Sequence, residues 1–362
     1  MNRVRIVSFT ENGYHLSCRM CTVLQKQADT EVTLYTGKAE IAGKYENLKE
    51  IYNGLQSWCG EIFTQSELLI FIGACGIAVR TIAPFVHHKY SDPAVLVADE
   101  RGIHVISLLS GHLGGGNAWA KLLAAGIGAD PVITTASDVN GRLAVDVWAQ
   151  KHQLQILDST LAKYAAAVFV TGEKLPFYAE PKAVCSEVWP EEYECFDRKE
   201  TFLEVVSGRS REQVAGIVVS VHSNWPENVL ILAPRQVILG IGCRREKEPE
   251  VVEMQVRKVL AEYEILPESV CKLASIDLKA KEPAICRLAE KLQVPFETFP
   301  ADTLLQMPGD YTVSEFVKKT TGVGNVCERA AVAALPAEKR QHPCWICKKQ
   351  AENGVTVAML QK

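Results

Sequence analysis

Residues 69–138 read LIFIGACGIAVRTIAPFVHHKYSDPAVLVADERGIHVISLLSGHLGGGNAWAKLLAAGIGADPVITTASD. Four apolar runs organise this stretch: Leu68 to Ile72, Ala94 to Ala98, His104 to Leu109 and Val132 to Thr135. Each is short, rich in Val, Ile or Leu, and ends in glycine or small polar residues. Such runs read as strands buried on both faces of a sheet. Between the third and fourth lies Ser110-Gly-His-Leu-Gly-Gly-Gly-Asn117, followed by the helix-like Ala118 to Ala125. This is a strand, a glycine loop and a helix.

A loop of that kind presents backbone N–H groups at the positive end of a helix dipole, and glycine lets an anionic group come close. Asn117 reads as an N-cap, and Ser110 and His112 add polar groups to the same loop. The spacing matches neither the phosphate-binding P-loop nor the dinucleotide fingerprint. The loop is therefore read as a cradle for carboxylates or a developing oxyanion, with a plain tight turn as the alternative. Thr134-Thr-Ala-Ser-Asp138 follows the fourth run, where hydroxyls and an acid hold a substrate or cap the next helix. Gly73-Ala-Cys-Gly-Ile-Ala-Val-Arg80 repeats the strand–turn–helix pattern; Arg80 reads as a carboxylate clamp or a surface charge. Lys89 and Asp92 lie in a polar loop, and Asp99 to Gly102 form a hairpin-type turn.

Upstream, Val4 to Phe9 and Glu31 to Tyr35 read as strands, and His15 to Gln27 and Leu48 to Trp58 as helices. The alternation predicts a mostly parallel sheet with helices on both faces, and ligands beyond the carboxyl ends of the strands. Residues 1–139 are expected to form one such α/β/α domain. Residues 140–234 are more irregular and read as a small middle domain, with strands at Leu154 to Leu157, Ala183 to Val188, Gly216 to Val221 and Val229 to Leu232. Residues 235–362 read as a second three-layer α/β domain. Its loops at Gly240 to Arg245, Ser275 to Lys281 and Gly322 to Glu328 are expected to share a rim made basic by Arg244, Arg245, Lys279 and Lys281.

Of the 362 residues, 48% are hydrophobic and 23% charged, with a net charge of -4, the profile of an ordinary globular chain without a basic field for nucleic acid. No apolar run approaches the ~20 residues of a spanning helix, and Met1 leads straight into a strand pattern, so a cytoplasmic location is expected. Twelve cysteines include two CxxC pairs, Cys18/Cys21 and Cys344/Cys347. Free thiols are expected, with a shared zinc site as the alternative.

Several segments together resemble the cobalamin biosynthesis protein G family. In the N-terminal part these are Gly76-Ile-Ala-Val-Arg80, Lys89 with Asp92-Pro-Ala-Val95, Ile106 to Asn117, and Val132 to Asp138. In the C-terminal part they are Gly240-Ile-Gly-Cys-Arg244, Ala274 to Lys279, and Thr321 to Glu328. Cys344-Trp-Ile-Cys347 and the serine at 137 depart from the family pattern. The resemblance implies a cobalt-precorrin-5A hydrolase of anaerobic vitamin B12 synthesis, whose substrate is a cobalt-bearing ring with many carboxylates and one lactone. Water opens the lactone, and a two-carbon unit leaves as acetaldehyde. Cobalt would arrive with the substrate, so no cofactor or protein metal site is expected.

Lactone chemistry gives the candidate residues roles by loop position. His112 would be the base, with Asp99 or Asp138 orienting it or replacing it. Ser110, Gly114, Gly115, Gly116, Asn117, Thr134, Thr135, Gly322 and Gly324 would contact the ring and its oxyanion. Arg80, Lys89, Arg244 and Lys279 would anchor its carboxylates. Partners are the cobalt-tetrapyrrole and neighbouring pathway enzymes, with no nucleic acid or membrane; the oligomeric state stays open, a homodimer included. A non-catalytic corrinoid carrier is the rival reading.

Overall fold

The structure, a computed structural model, describes residues 2–88, 91–112, 114–181, 183, 189–209 and 213–362. The chain forms two compact units, residues 1–148 with 169–172, and residues 149–168 with 173–362. Three mainly parallel sheets occupy residues 2–132, 154–234 and 237–361, and the second and third belong to one unit.

The first sheet has seven strands: β1 Asn2–Ser8, β2 Thr30–Thr36, β3 Leu48–Glu50, β4 Leu68–Ile72, β5 Ala94–Ala98, β6 His104–Leu109 and β7 Asp130–Val132, ordered 3-2-1-4-5-6-7. Every residue of β4 and β5 is buried. Alternation sorts them: Leu68, Ile70, Ile72 and Leu96 pack with Tyr14, Leu16 and Met20 of the helix Glu11–Leu24 and with Ala120 and Leu123 of the helix Gly116–Ile127. Leu69, Phe71, Val95 and Val97 pack on the other face with Trp58, Ala78 and Ile82. Each fully buried Leu or Phe of such a layer contributes roughly 1.5–3 kcal/mol.

Two expectations are corrected here. The span read as one helix, Leu48 to Trp58, is an edge strand followed by the helix Leu55–Ile62. Gly54 at φ 83° breaks it, a conformation glycine adopts without penalty. The run Val132 to Thr135 is strand only up to Val132; Thr135 then precedes a short helical turn, Ala136–Val139.

The second sheet contains β8 Leu154–Ile156, β9 Leu175–Ala179, β10 Tyr193–Phe196, β11 Gly216–Val219 and β12 Val229–Pro234, ordered 10-9-11-12-8. β9 and β10 escaped the sequence reading because aromatic and polar residues mask their apolar pattern. The expected strand Ala183 to Val188 lies, apart from Ala183, outside the described residues. The third sheet, ordered 15-14-13-17-16, contains β13 Val237–Cys243, β14 Val270–Ile276, β15 Phe296–Phe299, β16 Cys344–Glu352 and β17 Val355–Gln361. Cys344 and Cys347 lie on β16, and Cys18 and Cys21 on the helix Glu11–Leu24. Among the described residues no helix is long and apolar enough to cross a membrane.

Candidate active site

The direction of β6 positions the site. β1, β2, β3, β4 and β5 are parallel, but β6 pairs antiparallel with β5, and β7 runs parallel to β6. The link from Ala98 to His104 is five residues long, too short for a parallel crossover. The loops expected along one rim are therefore divided. Gly73 and Asp99 lie at the edge where β4 and β5 end. The glycine loop and the Thr134–Asp138 turn lie at the opposite edge, where β6 and β7 end. Asp92, just before β5, is at this second edge, and its carbonyl accepts a hydrogen bond from Ser110 Oγ at 3.0 Å.

Four charged side chains meet there. His112 Nε2 lies 3.1 Å from Asp138 Oδ2 and 3.0 Å from Ser137 Oγ. On the other side, His112 Nδ1 lies 3.7 Å from Asp146 Oδ1. Lys121 Nζ donates to Asp138 Oδ1 at 3.0 Å. Asn117, buried in the first turn of its helix, donates to Thr135 Oγ1 at 2.7 Å and Asp138 Oδ2 at 2.9 Å. Thr135 Oγ1 also donates to Asp138 at 3.2 Å. Asp138 is thus held by groups from three segments, so its orientation is set before any ligand arrives.

The electrostatics follow from this enclosure. The Asp146 carboxylate raises the His112 imidazole above its ordinary value, burial opposes this, and Asp138 adds to the rise. Burial pushes the Asp138 carboxyl up, but Lys121, His112 and Asn117 together hold it below the usual range. The imidazolium therefore stabilises the fold. Its contribution is complete below the ordinary histidine value of 6.5 and is lost as pH rises through the raised value. A His112→Gln variant is expected to melt below wild type at pH 6, with the gap closing as pH rises. Melting curves across pH check this, and a gap independent of pH would rule it out.

The glycine loop differs from the expected cradle. Gly115 N–H donates to His112 O at 2.9 Å, Gly116 N–H to Ser110 O at 3.1 Å and Asn117 N–H to Gly111 O at 2.8 Å. Those three amides are engaged within the loop. Gly114 N–H has no hydrogen-bond partner among the described residues. The helix N-cap is Gly115, at φ 78°, rather than Asn117, whose side chain instead ties the helix to the Thr135–Asp138 turn. Ser110 itself sits at φ 54°. For a residue with a Cβ this costs roughly 1–2 kcal/mol, and its bond to Asp92 helps to hold the turn.

The other candidates are dispersed. Asp99, at the far edge of the sheet, accepts from the N–H groups of Arg101, Ile103 and His104 at 3.0, 3.0 and 2.7 Å. Burial raises its carboxyl, but these bonds prevail and hold it below the usual range. It fastens the hairpin and is not near His112. Arg80 is exposed and folds back on Gly76 O at 3.0 Å. Thr134 is exposed. Lys89 lies outside the described residues.

In the third sheet's unit, Lys279 is not a free anchor, because its Nζ lies 2.6 Å from Glu282 Oε2. Arg244 is exposed, with its N–H bonded to Gly354 O at 3.1 Å. Gly322, at φ 77°, closes the helix Glu315–Thr321 rather than opening the next one, and Gly324 O accepts from Ser314 N at 2.8 Å. Asn325 Oδ1 caps the following helix by accepting from Glu328 N at 2.9 Å.

Sequence reasoning missed Asp146, Lys121 and Ser137. The available signal was helical spacing: Asn117 and Lys121 lie one turn apart on a single face.

Two family models match the chain: the cobalamin synthesis G N-terminal model over residues 57–138 and the cobalamin synthesis G C-terminus model over residues 237–360. The cobalt-precorrin-5A hydrolase of Salmonella typhimurium is 39% identical over 333 residues, 91% of this chain and 90% of that protein. The cobalt-precorrin-5A hydrolase of Priestia megaterium is 28% identical, covering 98% of this chain and 94% of that protein. A crystal structure of a cobalamin biosynthesis protein G homologue from Sulfolobus solfataricus aligns with a TM-score of 0.40 at 18% identity, covering 99% of this chain and 96% of that one.

Proposed function

This chain belongs to the cobalamin synthesis G family, and on that premise we propose that it is a cobalt-precorrin-5A hydrolase acting at the His112 edge of its first sheet. The likeness to the Salmonella typhimurium enzyme, which runs through nine-tenths of both chains, supports this activity. In this reading water opens the ring lactone of the cobalt-tetrapyrrole. Carbon–carbon cleavage then releases acetaldehyde and leaves cobalt-precorrin-5B. Cobalt is part of the substrate, and the chain supplies no cofactor of its own.

The observation that carries the reading is His112 held between two carboxylates beside a glycine loop. His112 Nδ1, whose carboxylate neighbour Asp146 lies 3.7 Å away, beyond hydrogen-bond length, takes a proton from the attacking water, and Asp146 and Asp138 stabilise the imidazolium so formed. Negative charge developing on the lactone carbonyl oxygen is met by Gly114 N–H. When the tetrahedral adduct collapses, the imidazolium returns the proton to the alkoxide freed on the two-carbon unit.

Incubating the protein with cobalt-precorrin-5A under anaerobic conditions tests the activity. One acetaldehyde per ring is expected; binding without release would instead favour a corrinoid carrier.

The role of Gly114 has its own test. A Cβ there would lie 2.5 Å from Ser110 Cβ and 2.8 Å from Ser110 O. Gly114→Ala must therefore displace the loop, and turnover is expected to fall ~10²–10³-fold, the usual effect of losing one oxyanion donor. Steady-state kinetics beside a melting curve check it; unchanged turnover would remove this amide from the mechanism.

A further inference from the structure

The second sheet carries another acid–base pair that the first-sheet site does not use. Its parallel strands run in the order 10-9-11-12. The chain steps outward from β9 to β10, then returns past β9 to β11. The ends of β9 and β11 therefore flank a topological switch point, where α/β sheets bind ligands. Glu180 directly follows β9, and Ser220, Val221 and His222 directly follow β11. His222 Nδ1 and Glu180 Oε1 are 2.8 Å apart. Val221 N–H donates to Glu180 Oε2 at 3.2 Å, and His222 N–H to Ser220 Oγ at 2.8 Å.

The loop is fixed from outside as well. Ser223 N–H donates to Glu264 O at 2.7 Å, and Leu266 N–H to Val221 O at 2.9 Å. The Glu180 side chain is 13% exposed and that of His222 38%. Burial alone would raise the Glu180 carboxyl, but His222, Ser220 and Val221 prevail and keep it below the usual range. The result is an imidazole with one nitrogen fixed on a buried carboxylate. Its Nε2 has no hydrogen-bond partner among the described residues. His112, by contrast, has a carboxylate at each nitrogen.

We propose that His222, oriented by Glu180, is the base of the second chemical stage, at a separate site within its own unit that receives the lactone-opened ring, taking the proton from the hydroxyl that lactone opening leaves on the two-carbon unit. The inference rests on the hydrolase reading above. The O–H electron pair becomes the second bond of the acetaldehyde carbonyl as the carbon–carbon bond breaks. The pair from that bond goes to the ring carbon, which takes up a proton from water. No oxidant or reductant enters. The ligand class is a secondary alcohol on a polycarboxylate ring.

Single-turnover reactions of full-length His222→Gln and Glu180→Gln proteins, followed by mass spectrometry of the ring and an acetaldehyde assay, test the proposal. A ring heavier than substrate by one water is expected to accumulate, with acetaldehyde release slowed ~10²–10⁴-fold and lactone opening retained. Gln at 180 keeps an acceptor for Val221, so a wild-type melting temperature would show that folding is intact. Acetaldehyde release at the wild-type rate, or equal loss of both stages in a folded variant, would overturn it. A wild-type protein that leaves the lactone closed would instead count against the hydrolase reading itself.

Discussion

Replacing His112 with alanine is expected to lower lactone opening by ~10²–10⁴-fold, the usual contribution of a positioned general base. The chemistry explains why the loss should be this large. Without the imidazole, water has no proton acceptor, and Asp138, tied to Lys121, Asn117 and Thr135, cannot easily take its place. Because its carboxyl is held below the usual range, Asp138 is a weak base. Substrate affinity should change less than turnover, because the proton transfer occurs only in the transition state. Substrate consumption and product mass, measured at saturating substrate, are the readout. His112→Gln is the companion variant, since its amide can still reach Asp138 and keep the loop in place. Near-normal turnover in both would detach this edge of the sheet from catalysis.

The largest effect on stability is expected from Gly240→Ala. Gly240 lies in the middle of β13, under the start of the helix Cys327–Ala333. A Cβ at 240 would lie 1.8 Å from Cys327 O, 2.8 Å from Cys327 C and 3.0 Å from Ala331 Cβ. The first two contacts are backbone, so no rotamer change relieves them. The helix must lift from the sheet, opening the layer made by Ile238, Ala330 and Ala331. Overpacking a core costs typically 1–3 kcal/mol, and a backbone clash belongs at or beyond the upper end. A fall in melting temperature of at least ~6 °C is expected, from 2–4 °C per kcal/mol for a unit of this size. Gly43→Ala is the matched control, because only Ala39 O lies near its added Cβ, at 3.5 Å. If Gly240→Ala melts with the control, this close helix–strand contact is not a constraint on the fold.

Much of the architecture was legible in the chain. The runs Leu68 to Ile72 and Ala94 to Ala98 are apolar without alternation, which requires cover on both faces, and both are buried throughout. The helix Pro249–Glu262 carries an apolar stripe of Val252, Val256, Val259 and Leu260 at helical spacing, and all four are buried. Less legible were β9, β10 and β16, where pairing with a neighbouring strand, rather than local pattern, decides that the segment is extended.

For the site, the chain by itself determined the ingredients: a glycine loop bearing His112, a hydroxyl-rich turn ending in Asp138, and a family likeness in both end segments. Only the tertiary structure decided which ingredients meet. The five-residue hairpin after β5 reverses β6, so Asp99 is carried to one edge of the sheet while His112, Asp138 and Asp146 gather at the other. It also decided that the loop's own carbonyls occupy the amides of Gly115, Gly116 and Asn117. Spacing along a chain records which groups can be presented together, whereas strand direction and hydrogen-bond saturation are three-dimensional properties, and these select the groups left to act on a substrate.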